Sequence, residues 1–508
     1  MMLLSQAKQA LGGKIIGQDV RFNAVSTDSR TIASGDLFVA LKGDNFDGSN
    51  FIEAAFQRGA VAALVDEAQG SKYKSQAATF PLLLVSGSSR LALGQLAAYW
   101  RAQFTLPVVA VTGSNGKTTV KEMLASILRV AAGSAYGHAR FPLTSSPTQA
   151  GDGGRVSLLE DNDSAVLATQ GNFNNDIGMP ITLLKLRAAH RYAVIEMGMN
   201  HTGEIDYLTR LARPEVAIVN NASGAHLEGL GSVEAIARAK GEIFAGLPET
   251  GVAIINADDG FAPLWREFAG KHKIIEFGQE QAAMIHAQWQ VQGYGSRIQV
   301  STPQGVFVAS LQVPGLHNVR NALAATAAAV ALNIPLQTIT AGLENFTGVA
   351  GRLQRKAGLH GAVVIDDTYN ANPASLSSAI KVLMQAVGKK ILVLGDMGEL
   401  GSDAARLHAE IGAEALHMGV NELLALGELS VHAVREFGPG ARHFLNIEAL
   451  LAALDQKMAT DSTVLVKGSR FMKMERVVKF CTAATPAQTV HAMSPHSGNE
   501  EKKTCCSH

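Results

Sequence analysis

Val108–Val109–Ala110–Val111–Thr112–Gly113–Ser114–Asn115–Gly116–Lys117–Thr118–Thr119 is the stretch on which the reading of this chain turns. Four apolar residues predict a buried strand. A glycine-punctuated turn follows, with one lysine and two hydroxyls, and then Val120, Met123, Leu124, Ile127 and Leu128 keep helical spacing. Strand, glycine loop and helix N-terminus together make an anion cradle. Backbone N–H groups and the helix dipole face a phosphate, lysine adds a point charge, and the hydroxyl after it is placed to hold Mg²⁺. Val111 stands where the usual Walker spacing has its first glycine. The run Thr112–Thr119 is read as a nucleoside triphosphate site.

Working outward, the 508 residues predict about three domains. Formal net charge is zero, which excludes bulk electrostatic binding to nucleic acid or to an acidic membrane surface. Three cysteines, two of them at the extreme C-terminus, suit a reducing compartment, and no apolar run approaches a membrane span. A cytoplasmic protein is expected, acting as a monomer. The first unit, 1–87, mixes short strand patterns (Asp36–Leu41, Ala62–Val65, Leu82–Val85) with a helix near Phe51–Arg58. The second, 88–347, opens with an amphipathic helix, Ser89–Phe104. It then alternates helices with the apolar runs Ala193–Glu196, Val216–Asn220, Val252–Asn256 and Ile274–Phe277, a pattern for a parallel sheet covered on both faces. Period-two patterns at Ile285–Val291, Arg297–Ser301 and Val306–Leu311 predict a small antiparallel insertion, and a long alanine-rich helix follows at about Asn318–Leu332. In the third unit, 348–482, the runs Ala362–Asp366, Ile391–Leu394, Glu422–Leu426 and Val464–Val466 predict a second doubly wound sheet. Arg140–Ala165 reads as a surface loop and 483–508 as a disordered tail.

Chemistry-bearing residues cluster at strand ends. Glu196 closes its strand on the edge where the phosphate loop opens; it is either a second Mg²⁺ ligand or a plain surface carboxylate. His226 sits in the loop after the next strand. A helix over Ser232–Leu247 puts Lys240 in the middle of an apolar stripe. There it either snorkels to solvent or is desolvated into a neutral amine able to take up carbon dioxide as a carbamate. Asn318 and Asn321, three apart, share a helix face suited to an adenine edge, although Asn318 reads equally as an N-cap. Arg352 lies at the hinge between the larger units, in reach of a transferring phosphoryl group. Asp366–Pro373 and Lys467–Arg470 end strands as polar loops.

Together these residues resemble the Mur ligases. The matching pieces are Thr112–Thr119, Gly171–Pro180, Glu196–Asn200, His226–Gly229, Ala239–Phe244, His317–Ala322, Asp366–Pro373 and Lys467–Arg470, and the likeness runs from about Thr27 to Phe480. The resemblance implies an α/β chain of three domains: a UDP-substrate-binding domain, a central parallel-sheet P-loop ATPase domain and a C-terminal Rossmann-like domain. It implies an ATP-dependent carboxylate–amine ligase, using Mg²⁺ and forming ADP and phosphate through an acyl phosphate. Within the family, Asp366–Pro373 points to the branch that adds D-alanyl-D-alanine to UDP-N-acetylmuramoyl-tripeptide for peptidoglycan. Another Mur-type ligase, or an enzyme like folylpolyglutamate synthase, is the alternative.

By the same resemblance Lys117, Lys240, His226 and Arg352 are catalytic, Lys240 being carbamylated. Thr118, Glu196, His226 and Lys240 are metal ligands. Asn318, Asn321, Arg352 and Asp367 join the phosphate loop as nucleotide contacts. Ser29, Arg30, Asp47 and Gly48 hold the uridine nucleotide, and Asn174, Asn175, Asn370, Asn372, Lys467 and Arg470 meet the substrates.

Overall fold

A computed structural model describes residues 1–43, 46–70, 80–133, 165–224 and 227–483. The segment 134–164, most of the loop expected at Arg140–Ala165, lies outside the described residues, as do His226 and the tail from 484 onward.

Among the described residues, three sheets of five or six strands are arranged along the chain, with smaller antiparallel sheets beside them. The first is built from β1 (Lys14–Ile16), β2 (Val25–Ser26), β3 (Leu37–Val39), β4 (Ala62–Asp66) and β5 (Leu82–Val85), in the order β1-β5-β4-β3-β2 with only β1 antiparallel. Helix α1 (Ser89–Arg101), capped by the Ser88 hydroxyl, carries the chain into the second sheet.

That sheet contains β6 (Val108–Thr112), β7 (Val166–Ala168), β8 (Tyr192–Glu196), β9 (Val216–Val219), β10 (Val252–Asn256) and β11 (Lys273–Phe277). Its order is β7-β8-β6-β9-β10-β11 and every pairing is parallel. Strand β6, buried along its whole length, is flanked by β8 on one side and β9 on the other. The order reverses there, so the carboxyl ends of three strands open on one crevice. Helix α2 (Lys117–Gly133) starts at the tip of β6, and the antiparallel meander β12 (His286–Gln292), β13 (Gly295–Thr302) and β14 (Gly305–Leu311) precedes α4 (Leu316–Ala331).

The third sheet holds β15 (Gln354–Ala357), β16 (Val363–Asp367), β17 (Lys389–Gly395), β18 (Glu422–Leu426), β19 (Ala441–Phe444) and β20 (Ser462–Lys467). Its order is β15-β16-β20-β17-β18-β19, parallel except for the edge strand β15. Among the described residues no helix is long and apolar enough to cross a membrane.

One apolar core runs without a break from the first sheet into the second, joining Leu64, Leu93, Met179, Ile195 and Leu208, whereas the third sheet packs its two faces into cores of its own. The expected helix Ser232–Leu247 is two pieces. α3 (Val233–Gly241) gives way to a 3₁₀ turn over Glu242–Gly246. Both glycines are pressed against neighbours: a Cβ on Gly241 would lie 2.4 Å from Phe268 Cδ2, and one on Gly246 2.3 Å from Thr209 Oγ1. The Thr209 hydroxyl also donates to the Ile243 carbonyl (2.8 Å), occupying an acceptor of the last turn.

Candidate active site

The phosphate loop is held from below by amides. Asn220 Nδ2 donates to the Asn115 carbonyl (2.9 Å), Asn221 Oδ1 accepts from the Asn115 N–H (2.8 Å), and Ser114 Oγ donates to the Ser223 carbonyl (3.0 Å). Gly116, at φ +80°, admits no side chain, because a Cβ would meet Asn321 Oδ1 at 2.3 Å. The first N–H groups of α2 therefore remain for a ligand. Lys117 Nζ folds back onto the Gly113 (2.6 Å) and Ser114 (3.3 Å) carbonyls. Burial lowers its pKa; the Glu196 carboxylate opposes that and the Arg352 guanidinium reinforces it.

Around the loop lies a cleft of about 1360 Å³ between the second and third sheets. Ser114, Asn115, Gly116, Lys117 and Thr119 line it, with Glu196, Asn174, Asn175, Asn318, Asn321 and Arg352. Asp367, Asn370, Asn372, Lys467 and Arg470 line the facing wall. Thr112 does not reach the cleft: its hydroxyl is buried and donates to the Met197 carbonyl (2.9 Å). Ser29, Arg30, Asp47 and Gly48 lie apart from it, Ser29 and Arg30 in the loop that follows β2, and Asp47 and Gly48 where a short hairpin strand after β3 passes into a 3₁₀ turn (Gly48–Phe51). Arg30 pairs with Asp28, and that bond brings the Asp28 carboxyl down to about 2.

Glu196, paired in register with Val111, is 2 % exposed. Its Oε1 accepts from Asn174 Nδ2 (2.8 Å), while Oε2 is buried with no hydrogen-bond partner among the described residues. It is no surface carboxylate, and an acceptor-only oxygen in that position fits a divalent cation. Lys240 is also 2 % exposed, so it does not snorkel. Its amine has neither a hydrogen bond nor an ion pair among the described residues, and burial, then the neighbouring Lys117 charge, lowers its pKa well below the ordinary lysine value. Among the described residues no three His, Cys, Asp or Glu side chains converge. A metal here would complete its shell with phosphate oxygens and water, as Mg²⁺ commonly does.

The asparagines of α4 form a chain of amides. Asn220 Nδ2 donates to Asn321 Oδ1 (3.0 Å), Asn321 Nδ2 to Asn318 Oδ1 (3.2 Å), and Asn318 Nδ2 to the Pro314 carbonyl (2.7 Å). Asn318 is not the N-cap, which is Gly315. Arg352 Nη2 donates to Thr118 Oγ1 (3.1 Å), its guanidinium lies 4.3 Å from the Tyr369 ring centre, and its Nε is buried with no hydrogen-bond partner among the described residues.

On the facing wall, Asp367 and Lys467 are register partners, and Lys467 Nζ donates to Asp367 Oδ2 (2.6 Å) and to the Asn370 carbonyl (2.9 Å). Asn372 caps α5 (Pro373–Leu383) through Oδ1 and donates through Nδ2 to Asn115 Oδ1 (2.9 Å), crossing the cleft. Arg470 is exposed and pairs loosely with Glu475 (3.3 Å).

Two further residues had no role assigned to them from the sequence. His317 lines the cleft, and burial pushes its pKa down to about 4, so the ring is neutral at physiological pH. Lys121 is 1 % exposed and donates to the Thr169 carbonyl (2.5 Å); the Thr169 hydroxyl in turn accepts from the Glu196 N–H (2.9 Å). The signal was present: Lys121 shares the stripe of Leu124 and Leu128 at helical spacing. Lys121→Met should cost about 1–3 kcal/mol, because it strands a buried carbonyl. It should also raise the Mg²⁺ concentration for half-maximal activity, because the Thr169–Asn174 loop holds Glu196. Thermal melts and a Mg²⁺ titration check both, and an unchanged titration would leave Lys121 a purely structural role.

Comparison with known proteins follows this geometry. Residues 111–329 match the Mur ligase middle domain, 351–470 the Mur ligase, glutamate ligase domain, and 21–101 the Mur ligase family, catalytic domain. The chain is 40 % identical over 484 residues to the UDP-N-acetylmuramoyl-tripeptide–D-alanyl-D-alanine ligase of Escherichia coli K12, covering 94 % of this chain and 97 % of the relative. The chain belongs to the Mur ligase family.

Solved Mur ligases agree. A UDP-N-acetylmuramoylalanyl-D-glutamyl-2,6-diaminopimelate–D-alanyl-D-alanyl ligase from Acinetobacter baumannii has a TM-score of 0.77 at 35 % identity, covering 93 % of this chain and 96 % of that one. The MurF ligase from Thermotoga maritima in complex with ADP has a TM-score of 0.73 at 26 % identity, covering 90 % and 96 %. The Mur ligase architecture of three α/β domains is thus the architecture of this chain.

Proposed function

We infer that this Mur ligase joins D-alanyl-D-alanine to UDP-N-acetylmuramoyl-tripeptide in the cytoplasm, converting ATP to ADP and phosphate and completing a peptidoglycan precursor. The observation that carries the reading is the presence, in one cleft, of a phosphate-loop lysine and a buried carboxylate whose second oxygen lacks a hydrogen-bond partner among the described residues. The relatives' names support the substrates, and the ADP-bound relative supports the nucleotide.

A carboxylate is a poor acyl donor, so the tripeptide carboxylate first attacks the γ-phosphate of ATP to give an acyl phosphate. Anion approaches polyanion in that step. Lys117, the α2 N–H groups and Arg352 surround the phosphates and lower the repulsion. Mg²⁺, held by Thr118, Glu196, a carbamylated Lys240 and, by family resemblance, His226, would supply further charge neutralisation. Lys240 suits carbamylation because burial with no partner among the described residues shifts its amine towards the neutral, nucleophilic form: nitrogen bonds the carbon of CO₂ and releases a proton, leaving an anionic oxygen ligand. Asn318, Asn321 and Asp367 position the nucleotide.

From the facing wall, Asn370, Asn372, Lys467 and Arg470 present the D-alanyl-D-alanine amine, which attacks the acyl carbon and expels phosphate. Asn174 and Asn175 border the peptide, and Ser29, Arg30, Asp47 and Gly48 hold the uridine nucleotide. Closure of the cleft keeps water from the acyl phosphate.

The test is ADP release against a panel. Release should require both the UDP-muramoyl-tripeptide and D-alanyl-D-alanine, with a product heavier by the dipeptide. Equal release from UDP-muramoyl-alanine, or with glutamate as acceptor, would reassign the chain to another reaction.

A further inference from the structure

Helix α1 is the bridge from the first sheet to the second, so a substrate held at both ends must pass its N-terminus. There Arg90 and Asp176 line the cleft from two different elements. Arg90 Nε and Nη2 each donate to one Asp176 oxygen, the Nη2–Oδ1 bond being 2.7 Å. A guanidinium has five N–H donors. Two are used, and the three left, on Nη1 and Nη2, form a second fork with no partner among the described residues. The Glu204 carboxylate also lines this corner.

Asp176 stands two residues beyond Asn174, the residue bonded to Glu196 Oε1. Two residues of chain span at most about 7 Å. The charged pair is therefore close to where the reacting carboxylate must meet the phosphates.

In the ligase reading, on which this inference rests, the reacting carboxylate belongs to the third residue of the tripeptide. In the Acinetobacter relative that residue is 2,6-diaminopimelate. Diaminopimelate carries two amines and two carboxylates. The peptide bond takes one amine and activation takes one carboxylate, so an ammonium and a carboxylate stay free at the far end. A lysine there would offer an ammonium alone. We propose that Arg90 and Asp176 form a subsite for the free ammonium–carboxylate end of a diaminopimelate residue. The open fork of Arg90 takes the carboxylate, and Asp176 with Glu204 takes the ammonium.

Steady-state kinetics of the full chain with two purified tripeptide substrates, one ending in diaminopimelate and one in lysine, test this. Wild type should prefer the diaminopimelate substrate. Arg90→Ala should lower kcat/KM for it about 10- to 100-fold, mainly through KM, and for the lysine substrate about threefold or less, so that the preference collapses. Arg90→Lys, which keeps the charge but not the fork, should restore part of it. Equal losses on both substrates would overturn the subsite and leave the pair as a fastener between α1 and the segment that carries Asn174 and Asp176. A wild-type enzyme that turns over neither substrate would instead refute the ligase reading itself.

Discussion

Lys117→Ala should melt within a few degrees of the wild type and lose on the order of 10³-fold or more in kcat. The lysine's hydrogen bonds go to carbonyls of its own loop, so its removal leaves no buried donor unpaired, although it takes away a positive charge that acts on the Glu196 carboxylate. Its positive charge is nevertheless the nearest one that α2 brings to the phosphates. ATP affinity should fall far less than turnover, because the loop amides that hold the nucleotide are pinned by Asn220, Asn221 and Ser223 and stay in place. Single-turnover formation of the acyl phosphate, read beside ATP binding by calorimetry, separates the two effects. Near wild-type turnover would remove Lys117 from the reaction.

Lys240→Ala is expected to lose roughly 10²- to 10³-fold in kcat. Acetate or formate should then restore part of the activity by placing a carboxylate in the space the side chain vacates. Lys240→Arg should be equally inactive and should not respond to either acid, since it keeps a cation beside the Lys117 charge. A lysine acting as a proton carrier gives the opposite pattern, with rescue by small amines and none by carboxylates. Mass spectrometry of enzyme trapped in bicarbonate provides a second readout, an addition of carbon dioxide that Lys240→Ala does not show.

Much of this site was legible because it lies at strand ends. A run such as Val108–Thr112 declares a buried strand, and whatever polar residue follows it in a parallel sheet faces the crevice; this is why Glu196, Asp367 and Lys467 were found. Sequence spacing says nothing, however, about which loops meet. Arg90 and Asp176 are 86 positions apart, and Asn115 and Asn372 are 257 apart. Both edge strands of the third sheet were missed for a different reason. β15 reads Gln–Arg–Lys–Ala and β19 Ala–Arg–His–Phe, because an edge strand covered on one side only need not be apolar. The break after Gly241 was hidden as well: the apolar stripe continues through Ile243 and Phe244, and only the crowding by Phe268 and Thr209 shows why the helix tightens.

The uneven sharing of apolar core has a mechanical consequence. The first and second sheets are welded by a common interior, and separating them would expose Leu64, Leu93 and Met179 to water. The third sheet keeps its interior to itself and meets the phosphate loop through polar links such as Arg352 to Thr118 and Asn372 to Asn115, which water can replace at little net cost. Packed this way, the first two sheets should behave as a stator and the third as a rotor. In the proposed reading the long nucleotide-linked substrate would lie along the stationary part and the rotor would carry only the short amine, so the acceptor would be delivered to a carboxyl group that does not itself have to travel.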